Sequence, residues 1–149
     1  MTSATTAADR EGLGRRRLAL VRRHVEVENA QDIDGLLGTF SAPRYEFVAG
    51  GLVADGAEAV RELWVQQYAA TSDFHVDVLS LHHADDIVFA EVRITATHTG
   101  TFMGVAPTGR ALEWDAACVF EFDGDLLTNE RVYFDSATIM EQMTRPAAD

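Results

Sequence analysis

The chain has 149 residues and a mass of 16.3 kDa, which is the usual size of one domain. Apolar residues make up 47 % of the sequence and charged residues 24 %, a balance that excludes a chain disordered over its whole length, a collagen-like chain and a coiled coil. The formal net charge of −12 argues against nucleic acid and membrane lipid as partners, because an acidic surface repels phosphate groups. The sequence has neither an apolar run of the roughly 18 residues that cross a membrane nor the apolar segment of a signal peptide, so we expect a cytoplasmic protein.

The first predicted element is a helix from about Leu13 to Asn29. Arginines dominate one side of this helix, and apolar residues follow the opposite side at helical spacing. Arg17, His24 and Glu28 nevertheless fall within the apolar side. We favour the interpretation that they lie at its edge and reach water. The alternative is that this helix face looks into a partly polar pocket.

Two short elements and a further helix come next. The pattern predicts a short helix over residues 33–40 and a first strand over residues 45–48. The segment 55–58 (Asp-Gly-Ala-Glu) has the residue types of a capping box, in which Asp55 would cap the next helix. That helix is predicted from the spacing of its apolar residues, which are Val60, Leu63, Trp64 and Tyr68.

The second half of the sequence shows the alternation of β-strands. Strands are predicted over residues 74–81, 88–99, 112–122 and 126–134, and a short helix over residues 136–143 follows them. Turn residues between the last three strands mark hairpins. Helices followed by hairpin-linked strands predict an α+β fold, in which helices pack on one face of a curved antiparallel sheet. Residues 13–149 would form this single domain, and residues 1–12 would be a disordered N-terminal tail.

Three motifs with known chemistry do not fit their surroundings. The glycine spacing of segment 104–111 is that of a phosphate-binding loop, but Arg110 and Ala111 replace its lysine and hydroxyl residue, and a strand follows where a helix is needed. The neighbouring His82 and His83 point to opposite faces of a strand, so we do not expect a metal site there. The single cysteine, Cys118, shares a strand face with apolar residues and is interpreted as a buried, unreactive thiol.

Two polar residues near the ends of predicted strands are candidate site residues. His98 ends a stripe of five apolar side chains, so it is either a satisfied buried histidine or a group at the rim of the sheet's inner face. Asp135 follows the last strand and is either the N-cap of the last helix or a desolvated carboxylate beside Phe134, Ile139 and Met140. Desolvation would raise its pKa and suit it to proton transfer. Considered alone, the local sequence favours the cap.

Four segments of the second half carry a resemblance to a known family. They are residues 95–100 (TATHTG), 104–110 (GVAPTGR), 123–125 (DGD) and 130–135 (ERVYFD), with Gln142 beyond them. In these motifs, and over most of residues 25–143, the chain resembles the SnoaL-like polyketide cyclases of the nuclear transport factor 2-like superfamily. The resemblance implies a cone-shaped, strongly curved sheet around helices, a deep apolar cavity open at one end, a homodimer, and chemistry without a cofactor.

The resemblance also implies roles for single residues. An aspartate at the position of Asp135 is the acid/base of an intramolecular aldol closure in these cyclases, and a histidine at the position of His98 would donate a hydrogen bond to the developing oxyanion. On this basis we favour catalysis by Asp135, which does not exclude capping. The side chains expected to bind substrate in the cavity are His24, Trp64, Tyr68, Trp114, Phe120, Tyr133 and Met140.

The resemblance says less about the reaction. The epoxide hydrolases of the superfamily need an arginine and an aspartate two residues apart, where this chain has Arg93 and Thr95. The ketosteroid isomerases need a pocket tyrosine on the first helix, where this chain has Leu20, His24 and Val27. We therefore predict a cofactor-free acid/base cyclase or isomerase for an apolar, carbonyl-bearing secondary metabolite. The alternatives are a non-catalytic module for hydrophobic ligands or dimerisation, and an epoxide-opening cyclase or hydrolase.

Overall fold

The structure, a computed structural model, describes residues 6–146 of the chain. No helix among these residues is long and apolar enough to cross a membrane. The predicted α+β class is confirmed. The elements in chain order are α1 (Ala7–Asn29), α2 (Ile33–Leu37), β1 (Arg44–Phe47), a short 3₁₀ helix (Val48–Gly50), β2 (Leu52–Asp55), α3 (Ala57–Ala70), β3 (His75–Ala84), β4 (Ile87–Thr97), β5 (Ala111–Asp123), β6 (Leu126–Phe134) and α4 (Ser136–Thr144).

The six strands form one curved, unclosed sheet in the order β2-β1-β6-β5-β4-β3. All neighbouring strands are antiparallel except β1 and β6, which run parallel. The hairpin pattern predicts only antiparallel pairs, because hairpins say nothing about strands that are distant along the chain. Irregular register between Val78 and Ser80 in β3, and between Glu121 and Phe122 in β5, marks β-bulges. Such bulges bend a strand and increase its twist, which helps to curve the sheet.

The inward faces of β4 and β5 match the predicted alternation. The buried residues of these two strands are Val88, Ala90, Val92, Ile94, Ala96, Leu112, Trp114, Ala116, Cys118, Phe120 and Phe122. Helix α1 packs across β3 and β4 on this face. On the other face, Arg93 binds the carboxylate of Asp115 with both a 2.8 Å and a 3.1 Å hydrogen bond, as expected for a strand with one polar side. The core therefore lies between the concave side of the sheet and the helices.

The N-terminal helix begins earlier than the sequence pattern predicts. Thr6 Oγ1 accepts a hydrogen bond from the Asp9 N–H, and the Asp9 carboxylate accepts one from the Thr6 N–H, each over 3.1 Å. This capping box satisfies the first free N–H groups and starts the helix at Ala7. The predicted disordered tail is therefore wrong for residues 7–12, and its residues 1–5 lie outside the described residues.

The predicted cap of helix α3 is also wrong. Asp55 ends strand β2, which the sequence pattern did not predict, and it pairs there with Arg44 of β1. The N-cap is Gly56, which has a φ of 94° and makes no side-chain cap. A glycine tolerates this left-handed conformation because it has no Cβ. Pairing in the sheet thus overrides the local capping signal at Asp55.

Arg17 is buried inside the fold rather than at a water-facing edge, so the favoured interpretation of this residue is wrong. Its guanidinium, 2 % exposed, donates to the carbonyl oxygens of Gly124 over 2.8 Å and Asp85 over 2.7 Å. It also lies 3.1 Å from His83 Nε2 and 5.2 Å from the centre of the Phe122 ring. These contacts tie α1 to both the β3–β4 turn and the β5–β6 turn.

Candidate active site

A cavity of about 380 Å³ lies between the concave face of the sheet and helices α1, α3 and α4. Its volume is within the range of small-molecule sites, about 300–1,000 Å³. Many of its wall residues are aromatic, among them Tyr45, Phe47, Trp64, Phe74, Trp114 and Phe120. These walls suit an apolar ligand.

Two buried carboxyl groups interrupt this apolar wall. Glu28 comes from α1, one turn after His24. Glu130 comes from β6, where the parallel register places it opposite Tyr45 of β1. The two glutamates are 7 % and 4 % exposed, and none of the described residues that line the cavity is a lysine or an arginine. The cavity wall therefore carries acidic groups without a basic partner of its own.

His24 joins these groups immediately behind the wall. It is fully buried, and its Nε2 lies 2.8 Å from the Tyr45 hydroxyl, 3.0 Å from Glu130 Oε2 and 3.6 Å from Glu28 Oε2. Three acidic groups thus meet at one ring nitrogen. We call Glu28, Glu130, His24 and Tyr45 the buried acid cluster.

The partners of His24 Nδ1 determine which nitrogen carries the proton. Nδ1 lies 2.8 Å from Thr39 Oγ1, and the Thr39 hydroxyl donates its own proton to the Leu36 carbonyl oxygen over 2.6 Å. Nδ1 must therefore be the donor in its contact with Thr39. When the imidazole is neutral, Nε2 is left as an acceptor for the Tyr45 O–H, and when it is protonated both ring nitrogens are donors. The ring orientation is set from both sides.

Burial and nearby negative charge raise the pKa of two members of this cluster, Glu28 and Tyr45. Burial, together with the negative charge of Glu130, raises the pKa of Glu28 well above its usual range. Burial and the two glutamates also raise the pKa of the Tyr45 hydroxyl, and the same causes raise the pKa of the Cys118 thiol on the neighbouring wall. Tyr45 is thus a hydrogen-bond donor, and Cys118 is the buried, neutral thiol that the sequence predicts.

Two buried polar atoms of the wall residues have no hydrogen-bond partner among the described residues. One is Glu130 Oε2, which lies close to His24 Nε2 but makes no hydrogen bond with it. The other is the indole Nε1 of Trp64, a residue that is 3 % exposed. Because buried polar groups in proteins are nearly always paired, an unpartnered acceptor and an unpartnered donor among the residues of one cavity wall mark this region as a candidate site.

Three of the seven predicted substrate-binding residues line the cavity, which are Trp64, Trp114 and Phe120. His24 is buried behind the wall, Tyr68 packs on Trp64, and Met140 packs against the core without lining the cavity. Their contact with a substrate stays a prediction. Tyr133, by contrast, is 43 % exposed, while its neighbours Val132 and Phe134 line the cavity. Its predicted place in the cavity is wrong, because successive side chains of a strand point to opposite faces.

Asp135 caps helix α4 and does not line the cavity. Its carboxylate accepts hydrogen bonds from the Thr138 hydroxyl over 2.7 Å and the Ala137 N–H over 2.9 Å, and the residue is exposed. These hydrogen bonds lower the pKa of Asp135. The predicted desolvated carboxylate with a raised pKa is therefore wrong, and the capping interpretation is confirmed. Catalysis by Asp135 stays a prediction.

His98 is fully buried just beyond the end of β4, where it holds the following loop. Its Nδ1 accepts a hydrogen bond from the Thr108 N–H over 3.3 Å and lies 2.9 Å from the Thr108 hydroxyl. Its backbone pairs with Gly109 and Arg110. His98 does not line the cavity, and its Nε2 has no partner among the described residues. The predicted burial is confirmed, but the histidine is not fully satisfied, and its role as an oxyanion donor stays a prediction.

Sequence reasoning missed Glu130 and Tyr45 as site residues. Glu130 did carry a signal, because it shares strand parity with Val132 and therefore belongs to the inward face of β6. His24 and Glu28 stand out in the sequence only as polar residues on an apolar helix face. Both are buried, so the interpretation that they reach water is wrong and the partly polar pocket is correct.

Comparisons with known proteins agree with this architecture. The sequence model of the SnoaL-like polyketide cyclase family matches residues 18–143, whereas none of the curated proteins matches the sequence significantly. A candidate SnoaL-like polyketide cyclase from Jannaschia sp. CCS1 superimposes with a TM-score of 0.80 at 18 % identity over 91 % of this chain and 96 % of that one. AclR, a candidate hydroxylase from Streptomyces galilaeus, gives a TM-score of 0.77 at 23 % identity over 91 % of this chain and 85 % of its own.

A third solved structure has a ketosteroid isomerase-like fold. It is a hypothetical protein from Catenulispora acidiphila DSM 44928 in complex with trimethylamine, with a TM-score of 0.73 and 20 % identity over 85 % of this chain and 93 % of that one. At such identities these structures show a shared fold and not a shared reaction.

Proposed function

The chain belongs to the SnoaL-like polyketide cyclase family, which supports a cyclase or isomerase role, and on that premise we propose a cofactor-free acid/base enzyme with Glu130 as its acid/base. The observation that carries the proposal is the position of Glu130 on an apolar cavity wall, with its buried Oε2 3.0 Å from His24 Nε2 but not hydrogen-bonded to it. The substrate is a small hydrophobic molecule with at least one carbonyl group. Burial in such a cavity excludes water from the reacting carbon, which protects an enolate.

In the proposed reaction, ionised Glu130 takes a proton from a carbon next to a carbonyl group of the substrate. The resulting enolate attacks a second carbonyl of the same molecule, so that one carbon–carbon bond forms and an alkoxide results. The alkoxide receives the proton from Glu130, which restores the carboxylate. An isomerase would return the same proton to a different carbon. Neither route needs an electron acceptor, because no electrons leave the substrate.

Neighbouring residues have supporting roles in this proposal. Tyr45 and His24 are positioning residues, because their hydrogen-bonded pair packs against the Glu130 carboxyl and the Thr39 hydroxyl fixes the ring from its other side. The unpartnered Nε1–H of Trp64 is the donor for the substrate oxygen on which negative charge develops. A donor aimed at such an oxygen in a dry site is one of the larger sources of catalysis.

Proton exchange tests the proposal without knowledge of the natural substrate. The α-protons of 2-tetralone and related aromatic ketones exchange with D2O when a base removes them, and NMR follows the exchange. We expect Glu130→Gln to lower the enzyme-dependent exchange rate at least about 100-fold. Asp135→Asn is the matched control at the other candidate carboxylate. Its exchange rate should stay within about threefold of the wild-type rate, because asparagine also caps a helix.

Two outcomes would overturn the proposal. Loss of exchange in Asp135→Asn with exchange retained in Glu130→Gln would make Asp135 the acid/base. Wild-type protein that binds the ketones without any exchange would favour a non-catalytic module for hydrophobic ligands. The homodimer and the cytoplasmic location expected from the sequence stay predictions.

A further inference from the structure

The cavity contains one more carboxyl group than the proposed reaction uses. Glu130 has the hydrogen-bonded pair of Tyr45 and His24 against it, whereas the Glu28 carboxyl makes no hydrogen bond among the described residues. Its one ion-pair contact there is with His24 Nε2, over 3.6 Å. Glu28 is nevertheless more than nine-tenths buried and lines the cavity. Its carboxyl group thus faces the ligand space without a committed partner.

The charges around Glu28 do not balance. His24 can carry one positive charge at most, and it lies closer to Glu130 than to Glu28. The remaining titratable groups near this point among the described residues, the Tyr45 and Tyr68 hydroxyls and the Cys118 thiol, are acids and supply no positive charge. A second carboxylate in apolar surroundings is stable only when a proton or a cation neutralises it. The raised pKa of Glu28 shows that its buried surroundings favour the protonated carboxyl group over the bare carboxylate.

The surrounding rings are suited to a cation. The Trp64 ring packs edge-to-face on Tyr45, with centroids 5.7 Å apart at 68°, and on Phe74, with centroids 5.5 Å apart at 75°, and all three residues line the cavity. Aromatic walls of this kind bind alkylated ammonium groups through the negative faces of the rings. The net charge of −12 also raises the concentration of cations near the protein.

We propose that the cavity takes a hydrophobic substrate that bears a positively charged amine, with Glu28 as the counter-ion and the aromatic rings as the walls around the ammonium group. The inference rests on the proposed function for the place of the substrate and adds its chemical class. When the ammonium group binds, Glu28 releases its proton to the solvent. Glu130 remains the acid/base of the reaction.

Two probes of the same shape test this inference. They are 3-hydroxyphenyltrimethylammonium and 3-tert-butylphenol, which differ in one positive charge. In titration calorimetry near neutral pH we expect the cation to bind at least about tenfold more tightly than the neutral probe. Titrations in buffers of different ionisation enthalpy should show up to about one proton released per bound cation and none for the neutral probe, and the cation affinity should rise with pH accordingly.

Variants on one helix identify the counter-ion. Glu28→Gln should abolish the preference for the cation and leave the affinity for 3-tert-butylphenol unchanged, which also shows that the variant is folded. Glu26→Gln, at an exposed position of the same helix, should behave like the wild type. Equal binding of both probes by the wild type, without proton release, would overturn the inference.

The two proposals fail separately. Ketone exchange that depends on Glu130, without any preference for the cation, would overturn only the amine inference. A preference for the cation without ketone exchange would overturn only the proposed reaction.

Discussion

Tyr45 and Glu130 lie opposite each other across the parallel pair of strands β1 and β6. Both side chains reach the concave side of the sheet, where the Tyr45 hydroxyl and the Glu130 carboxyl meet at Nε2 of His24. The two residues are far apart in sequence, so the topology of the sheet assembles the site. The result is a carboxyl group on the wall of an apolar cavity, with an imidazole and a phenol packed behind it.

Trp64→Phe tests the donor to the substrate oxygen. The substitution keeps a ring on the cavity wall and removes the N–H, so we expect kcat/KM for a carbonyl substrate to fall about 10- to 100-fold. The thermal midpoint should fall only because phenylalanine buries a smaller ring than tryptophan. No hydrogen bond is lost, because the Trp64 N–H has no partner among the described residues. Trp114→Phe makes the same change elsewhere on the wall. Equal losses of kcat/KM in both variants would show that cavity shape matters and the Trp64 N–H does not.

Glu28→Gln should change how stability depends on pH. The pKa of Glu28 is raised in the folded protein, so between the pKa of an unfolded glutamate and this raised value the folded state binds more protons than the unfolded state. Stability from this group therefore falls as pH rises across that range. We expect the two proteins to have the same free energy of unfolding near about pH 4, and the variant to become the more stable protein as pH increases.

Denaturant unfolding at several pH values measures this difference. Glu26→Gln, at an exposed position of the same helix, is the control. Its free energy of unfolding should not rise relative to that of the wild type as pH increases. A Glu28→Gln difference that is constant with pH would contradict the raised pKa.

Asp135→Ala tests the cap of α4. Loss of the hydrogen bonds to the Ala137 N–H and the Thr138 hydroxyl should lower the thermal midpoint by several degrees. Asp135→Asn should retain most of the stability, because asparagine caps nearly as well. Differential scanning calorimetry at neutral pH measures the thermal midpoints of the two variants and the wild type. An unchanged or higher midpoint in Asp135→Ala would instead indicate a strained carboxylate of the kind found at functional sites.

Arg17→Met tests the buried guanidinium. The substitution keeps the apolar stem but leaves the carbonyl oxygens of Asp85 and Gly124 without their donor, so we expect a loss of about 2–4 kcal/mol in the free energy of unfolding. Arg17→Lys should recover only part of this lost stability, because one ammonium group cannot reproduce the planar set of N–H donors of a guanidinium group. Arg15→Met, at an exposed position two residues earlier, is the control and should stay within about 0.5 kcal/mol of the wild type. A small effect of Arg17→Met would show that water replaces these contacts.

The elements whose periodicity is complete within one segment were predictable. Alternation along β4 and β5 predicted which residues face inward, and the apolar spacing in α3 predicted a helix with Trp64 on its buried side. The motifs from His98 to Asp135 pointed to the family that the sequence comparison then showed. Each of these signals is local, because side-chain direction follows from the backbone period alone.

The site depended on contacts that no local signal contains. Whether Arg17, His24 and Glu28 reach water or are buried is decided by the strands that cover α1, and those strands come from the other half of the chain. The same holds for Asp135, whose sequence fits both a cap and a buried acid. Strand parity indicates that Glu130 faces inward, but its place opposite Tyr45 depends on the pairing of β6 with β1. The sequence by itself determined the fold class, the inward faces of the long strands and the family. Tertiary structure decided which polar side chains lose their water, because desolvation depends on everything packed around a group and not on its neighbours in the chain.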